Sequence, residues 1–310
     1  MRIGTRASAL ALAQAELVSQ ALVERDLVRD CELVPIVTSG DRGAAPADKS
    51  RWVVELEEAL LREEIDLAVH SAKDVPTQLR DGLALLGAPP RAAAEDVLCG
   101  AEGLDALSPG ARVGTSSLRR SAQLRAARAD LEVASIRGNV DTRLRKLAQG
   151  EAQRVDALVL ARAGLQRLGR EDAVGAVLDP ASFVPAPGQG ILALQGRAGD
   201  ERARAAAAAI SDEGALACLL AERALARGLS ASCRTPLGAH ALPDRDGRLR
   251  LRAWLGLPDG SAWLSDEQRG ELATAEALGG GVARRLALAG AGEILRAAER
   301  MAAQHSPGGG

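Results

Sequence analysis

An α/β fold with mostly parallel sheets is what the sequence predicts for the first two-thirds of the chain, with a small α+β domain following about residue 210. Three observations carry that expectation. Short apolar runs alternate with amphipathic stretches, the pattern of strand, loop and helix repeated. Two segments rich in proline and glycine bracket a middle portion of the chain. Past them the alternation gives way to two strands set between helices.

In chain order, Arg2–Gly4 reads as a strand, Ala9–Glu24 as a helix, Leu33–Val37 as a strand and Val53–Glu63 as a helix. Strands are then expected at Asp66–Val69 and Leu83–Leu86. Ala88-Pro89-Pro90-Arg91 is a domain crossing, since two prolines break both helix and sheet. Beyond it come a strand Arg112–Gly114, a helix Leu118–Arg128, a strand Glu132–Ile136, a helix Thr142–Ala148, a strand Ala157–Leu160 and a helix Gly164–Leu168. Val184-Pro185-Ala186-Pro187-Gly188-Gln189-Gly190 is a second crossing. The last part holds a helix Glu213–Arg227, a loop around Cys233, a hairpin of Arg248–Leu255 and Ala262–Leu264 about Pro258-Asp259-Gly260, and a helix Gly281–Met301. The glycine tail, 306–310, is expected to be disordered.

The 310 residues suffice for two or three domains with real cores. A net charge of −2 gives no bulk attraction for nucleic acid or for a membrane surface, so any anion site has to be a local gathering of arginine. No stretch reaches the roughly 18 apolar residues of a spanning helix, and Met1 to Arg6 runs straight into a strand, so a cytoplasmic, soluble protein is expected. Four cysteines without short paired spacing argue against a disulfide framework or a zinc site. Cys31, Cys99 and Cys218 sit in apolar runs and read as small buried hydrophobes, whereas Cys233 lies among serines, an arginine and a proline. His70 reads as structural; His240 and His305 have no partner at ligand spacing, so no metal is expected.

Ligands of open α/β sheets bind beyond the carboxyl ends of the strands. Those positions are polar throughout: Gly4-Thr5-Arg6-Ala7-Ser8, His70-Ser71-Ala72-Lys73-Asp74, Gly114-Thr115-Ser116-Ser117-Leu118-Arg119-Arg120 and Arg137-Gly138-Asn139-Val140-Asp141-Thr142-Arg143. In the third stretch hydroxyl groups are placed to cap a helix whose free N–H groups attract an anion, and two arginines add fixed charge and bidentate donors. Taken alone, it is equally well read as a capped helix with solvated arginines. Recurrence after several strands favours a cleft for a ligand with several negative charges. Asp74 is the candidate for acid–base work, although a turn carboxylate paired with its neighbour is the plainer reading of its spacing. Cys233 reads as an exposed thiol near positive charge, better suited to a covalent anchor than to turnover chemistry.

The stretches "AVHSAKDVP", "VGTSSLRR", "IRGNVDTRL" and "PGQG", in this order, resemble the hydroxymethylbilane synthase (porphobilinogen deaminase) family over nearly the whole chain. The resemblance implies two similar doubly wound domains of the periplasmic-binding-protein type II kind plus a smaller α+β C-terminal domain. It places domain 1 at 1–88 and 191–208, domain 2 at 92–184 and domain 3 at 212–305. It implies a transferase that joins four porphobilinogen molecules head to tail into hydroxymethylbilane with loss of ammonia. The reaction would run on a dipyrromethane primer held by a thioether to Cys233.

By the same resemblance Asp74 is catalytic, handling the proton of ammonia loss and then the positively charged intermediate. Lys73, Asp74, Thr115, Ser116, Arg119, Arg120, Gly138 and Arg143 would bind the cofactor. Arg6, Ser8, Lys49, Ser71, Arg137, Arg167 and Gln189 would bind substrate. Two departures stand out: Ala231-Ser232 replace a pair of glycines before the attachment cysteine, and the stretch from Asp41 to Trp52 is shorter than usual. A monomer with no nucleic-acid or membrane partner is expected. The competing reading is a two-domain binding protein for a polyanionic small ligand, which leaves Cys233 and the third domain without a purpose.

Overall fold

The computed structural model of the chain describes residues 1–40, 52–149, 155–231 and 235–304. The readings of Lys49, of Cys233 with its neighbour Ser232, of the segment from Asp41 to Arg51 and of the tail lie outside the described residues.

The chain opens with β1 (Arg2–Arg6), α1 (Ala9–Glu24), β2 (Glu32–Ile36), α2 (Val54–Leu61), β3 (Leu67–Ser71) and β4 (Leu83–Gly87). Helix α1 starts where Ser8 Oγ accepts from the Ala11 N–H at 3.3 Å. It buries Ala11, Ala15, Val18 and Leu22, one stripe at helical spacing, against the first sheet. Full burial of Leu22 alone contributes roughly 2 kcal/mol.

After the first crossing come β5 (Asp96–Cys99), β6 (Arg112–Gly114), α3 (Leu118–Ala127), β7 (Glu132–Ala134), α4 (Val140–Gln149), β8 (Ala157–Ala161), α5 (Arg162–Arg167) and β9 (Ala176–Val177). The second crossing leads to β10 (Leu192–Arg197) and α6 (Glu201–Ala209). The remainder is α7 (Glu213–Gly228), β11 (Leu237–Pro243), β12 (Arg248–Gly256), β13 (Trp263–Glu271), α8 (Ala275–Leu288) and α9 (Ala291–Gln304).

Two five-stranded sheets have matching orders, β2-β1-β3-β10-β4 and β7-β6-β8-β5-β9. In each, the strand that follows a crossing is the antiparallel one: β10 runs against β3 and β4, and β5 against β8 and β9. β1 and β6 occupy the same place in their sheets, and each runs into Gly-Thr followed by a serine that caps a helix. This is the doubly wound α/β pair expected, with parallel pairing at β1–β2, β1–β3, β6–β7 and β6–β8.

The third sheet, β11-β12-β13, is antiparallel. It has three strands, not the two expected from sequence. β11 is Leu-Gly-Ala-His-Ala-Leu-Pro, whose alanines are weak strand formers and hid it. β13 runs to Glu271, well beyond Leu264, as an edge strand whose residues alternate between exposed and half-buried. The long last helix is two: α8 begins at Ala275, and the chain breaks at Gly290, whose φ of +99° suits only glycine. Cys99 and Cys218 are buried as expected, but Cys31 is only partly so, because it packs at the rim of the first core.

One apolar core joins the third sheet, α7 and α8 to Ala72, Val75 and Ala88 of the first domain. Buried polar contacts reinforce the joint. Glu222 of α7 is fully buried; it binds Arg91 of the first crossing at 2.7 Å and accepts from the N–H groups of Gly188 and Ala241. Arg91 also donates to the carbonyls of Gln189 and Ala241, tying both crossings to the third domain.

Candidate active site

Immediately after β3 the backbone makes a single 3₁₀ turn, Ala72–Asp74. Ala72 and Val75 are anchored in the core, and Lys73 and Asp74 between them line a cleft of about 590 Å³. The turn is gripped from outside by Arg223 of α7, which donates to the carbonyls of Pro76 at 2.7 Å and Thr77 at 3.1 Å. It is gripped from inside by Gly188, at φ +76°, where a Cβ would come within 2.9 Å of the Ala72 carbonyl carbon and the Lys73 nitrogen. Just upstream, buried His70 Nε2 meets Gln195 Oε1 at 2.9 Å, and Gln195 donates to Glu57 at 2.9 Å, so His70 braces β3 against β10 and α2. Burial holds the His70 imidazole down to about 4.

The facing wall is the start of α3. Thr115 is buried and accepts from the Ser117 N–H at 3.2 Å, and Ser117 caps the helix. Arg119 and Arg120 are buried on one carboxylate, Asp96 of β5. Arg119 Nη2 lies 2.7 Å from Asp96 Oδ2; Arg120 donates through Nε and Nη2 to Oδ1 at 3.0 and 2.7 Å. Arg119 Nη1 donates to the Val184 carbonyl at 2.7 Å and Arg120 Nη1 to the Val159 carbonyl at 3.0 Å. Gln189 Nε2 adds a third donor to Asp96 at 2.9 Å. Burial pushes the Asp96 carboxyl up, but the two guanidiniums win and hold it at about 2. Two arginines against one aspartate leave this cluster a net positive charge.

That charge is felt by Lys73. Burial, then Arg120, push its ammonium down, with Asp74 and Asp96 opposing, to about 8. Arg143 of α4 completes the cationic wall, with its Nε on the Gly138 carbonyl at 2.8 Å and its pKa lowered by burial and by Arg120. Ser116 and Gln189 also line the cleft. Two buried polar atoms of lining residues have no hydrogen-bond partner: the donor Arg119 Nε and the acceptor Gln189 Oε1.

The structure thus brings Lys73, Asp74, Ser116, Arg119, Arg120, Arg143 and Gln189 together. Thr115 and Gly138 shape the loops beneath them, as just described. Of the other candidates among the described residues, Arg6, Ser8, Ser71, Arg137 and Arg167 are not among those lining this cleft. Arg6 lies over the Trp52 ring at 3.9 Å, Ser8 caps α1, and Ser71 exchanges a hydrogen bond with Gln14 at 2.9 Å. Arg137 is exposed, and its carbonyl accepts from Lys146. Arg167 donates to the Gly190 carbonyl at 2.7 Å, and burial lowers it to about 10.

Sequence reasoning missed Asp96, Arg223, Arg91 and Glu222. Asp96 and Glu222 carry a faint signal, an acid within or beside an apolar stretch, but their partners lie far off in sequence. A larger cavity of about 680 Å³ behind α3 is lined by Trp254 and Trp263. Its acids Asp266 and Glu267 are already paired with Arg285 and Arg252. No cluster of histidine, cysteine or carboxylate groups able to hold a metal occurs among the described residues.

Ala231 and Thr235, on either side of the segment that contains Cys233, both line the cleft opposite Asp74 and the arginines. Residues 1–205 match the porphobilinogen deaminase, dipyrromethane cofactor binding domain, and residues 216–287 match the porphobilinogen deaminase C-terminal domain. A porphobilinogen deaminase of Thermus thermophilus is 46% identical over 295 residues, covering 94% of this chain and 97% of the relative. One from Deinococcus radiodurans is 42% identical over 305 residues, covering 95% and 97%. Among solved structures, the methionine-binding protein MetQ is 15% identical over 70% of this chain and 92% of its own, with a TM-score of 0.43, a level at which nothing about function follows.

Proposed function

Because the chain belongs to the porphobilinogen deaminase family, we infer that it condenses four porphobilinogen molecules head to tail into the linear tetrapyrrole hydroxymethylbilane, releasing ammonia, on a covalent dipyrromethane primer. The observation that carries the residue assignment is the meeting in one cleft of Lys73 and Asp74 with Arg119, Arg120 and Arg143, beside both flanks of Cys233.

The residues present fit a dipyrromethane. Its acetate and propionate groups need fixed cations, and the cleft wall supplies a surplus of them together with an unpartnered donor, Arg119 Nε. A pyrrole N–H needs an acceptor, and Asp74 and Gln189 Oε1 are available. Cys233 is assigned as the thioether anchor; Lys73, Ser116, Arg119, Arg120 and Arg143 hold carboxylates, with Thr115 and Gly138 shaping the loops. The bound primer supplies a nucleophilic pyrrole carbon.

In this reading Asp74 moves the protons. It assists departure of ammonia from porphobilinogen, and its carboxylate then stabilises the positive charge that develops on the substrate ring. Afterwards it accepts the proton displaced at the new carbon–carbon bond. Arg6, Ser8, Lys49, Ser71, Arg137 and Arg167 are assigned to substrate and the lengthening chain, whose carboxylates grow in number with each addition. Domain 1 is assigned to 1–88 and 191–208, domain 2 to 92–184 and domain 3 to 212–305. We further propose a cytoplasmic monomer with no nucleic-acid or membrane partner, consistent with the net charge of −2. No helix among the described residues is long and apolar enough to cross a membrane.

Asp74→Asn tests the assignment. The amide keeps the shape but neither accepts nor delivers the proton, so porphobilinogen turnover falls by at least ~10²-fold while the melting temperature stays at the wild-type value. Wild-type turnover in that variant removes Asp74 from its role.

A further inference from the structure

The cleft's two central arginines are not free forks waiting for a ligand. Arg120 spends Nε and Nη2 on Asp96 and Nη1 on the Val159 carbonyl; Arg119 spends Nη2 on Asp96 and Nη1 on the Val184 carbonyl, leaving Nε unpartnered. Asp96 is itself fully buried on β5, the antiparallel strand that follows the first crossing, and it takes a further hydrogen bond from Gln189 of the second crossing. A single carboxylate therefore fixes the aim of both guanidiniums and links them to both crossings.

We propose that Asp96 is a positioning residue for porphobilinogen condensation: it holds Arg119 and Arg120 at the cleft wall and offsets one of their charges. The proposal rests on the reading of this cleft as the porphobilinogen site. Without Asp96, two buried like charges would face each other across the α3 terminus, and buried arginines stripped of their partner swing toward whatever anion or solvent they can reach. Lys73 would feel the same loss. The charged groups acting on it are Arg120 and Arg119, which push its proton off, and Asp74 and Asp96, which retain it; Arg143 and Arg223 also border the cleft. Removing Asp96 takes away part of that retention.

The test is steady-state kinetics of Asp96→Asn against pH, on protein checked by mass for its covalent primer. The expected result is a rise of roughly tenfold in KM for porphobilinogen, the cost of misaimed binding groups. The basic limb of the kcat/KM profile is also expected to move by about half a unit toward lower pH, since Lys73 loses its proton more easily. A merely structural role would lower stability without moving that limb. Unchanged KM and an unchanged limb in folded, primer-bearing Asp96→Asn overturn the proposal. Should Asp96→Asn not fold, Asp96→Glu decides: the charge is kept but displaced by one methylene, so the limb stays and KM rises about threefold or more. A wild-type KM in Asp96→Glu overturns it. A wild-type chain that does not consume porphobilinogen defeats the functional reading itself, a separate outcome.

Discussion

Glu222 has no exposure to solvent, and each of its oxygens is engaged: Oε1 with Arg91 and the Ala241 N–H, Oε2 with the Gly188 N–H. Burial pushes its carboxyl up while Arg91 pulls it down, and the balance is upward. Replacing it with alanine strands a buried guanidinium and two backbone donors, so Glu222→Ala is expected to destabilise the fold by about 3–5 kcal/mol, read as a shift of the urea unfolding midpoint. Activity of whatever remains folded should fall too, since the same carboxylate steadies Gly188 against the Lys73–Asp74 turn. At this scale the sequence was legible only where chemistry follows a strand. Lys73, Asp74, Arg119 and Arg120 could be picked out that way. Asp96 and Glu222 could not, because a buried acid is explained by partners 19 to 131 residues away, which spacing along the chain does not reveal.

The turn Ala72–Asp74 is held between two elements, the Pro-Gly crossing on one side and α7 on the other. Gly188→Ala is the sharpest probe of the first. Its positive φ costs about 1 kcal/mol for alanine, and the new methyl presses on the backbone of Ala72 and Lys73, which has no flexible end to yield. Turnover should drop more than the melting temperature does, and equal proportional losses would contradict the view that this glycine aims the turn. Elements with strong periodicity or a capping serine were legible: α1 was placed at its observed ends, and β6 likewise. Those built from alanine or from polar alternation were not, as β11, β13 and α6 illustrate. β5 and β10 were missed because each is a short apolar run next to a crossing. Their antiparallel placement is decided by sheet pairing and not by local preference.

For the molecule as a whole, two sheets of the same order each bring the segment after one strand, β3 and β6, to one cleft, and a third domain borders it with the flanks of Cys233. That plan was legible from the proline and glycine crossings and the change of pattern after them; the joint through Arg91, Glu222 and Arg223 was not. Acid should loosen the assembly through His70. Its folded value of about 4 lies below the unfolded 6.5, so the unfolded chain takes up the proton first as pH falls. The stability it provides is complete above 6.5 and declines by about 3 kcal/mol as pH drops to 4, and His70→Gln should flatten that part of the urea-midpoint curve.

The central claim is that Cys233 carries a pyrrole primer in the cleft that Asp74 serves. Intact-protein mass spectrometry of the purified chain measures it directly. The account predicts a mass exceeding that of the bare polypeptide by one dipyrromethane, with the increment absent in Cys233→Ser and porphobilinogen consumption lost with it. A wild-type chain of unmodified mass that consumes no porphobilinogen even after reconstitution with cofactor, or a Cys233→Ser chain that retains the increment, would contradict it.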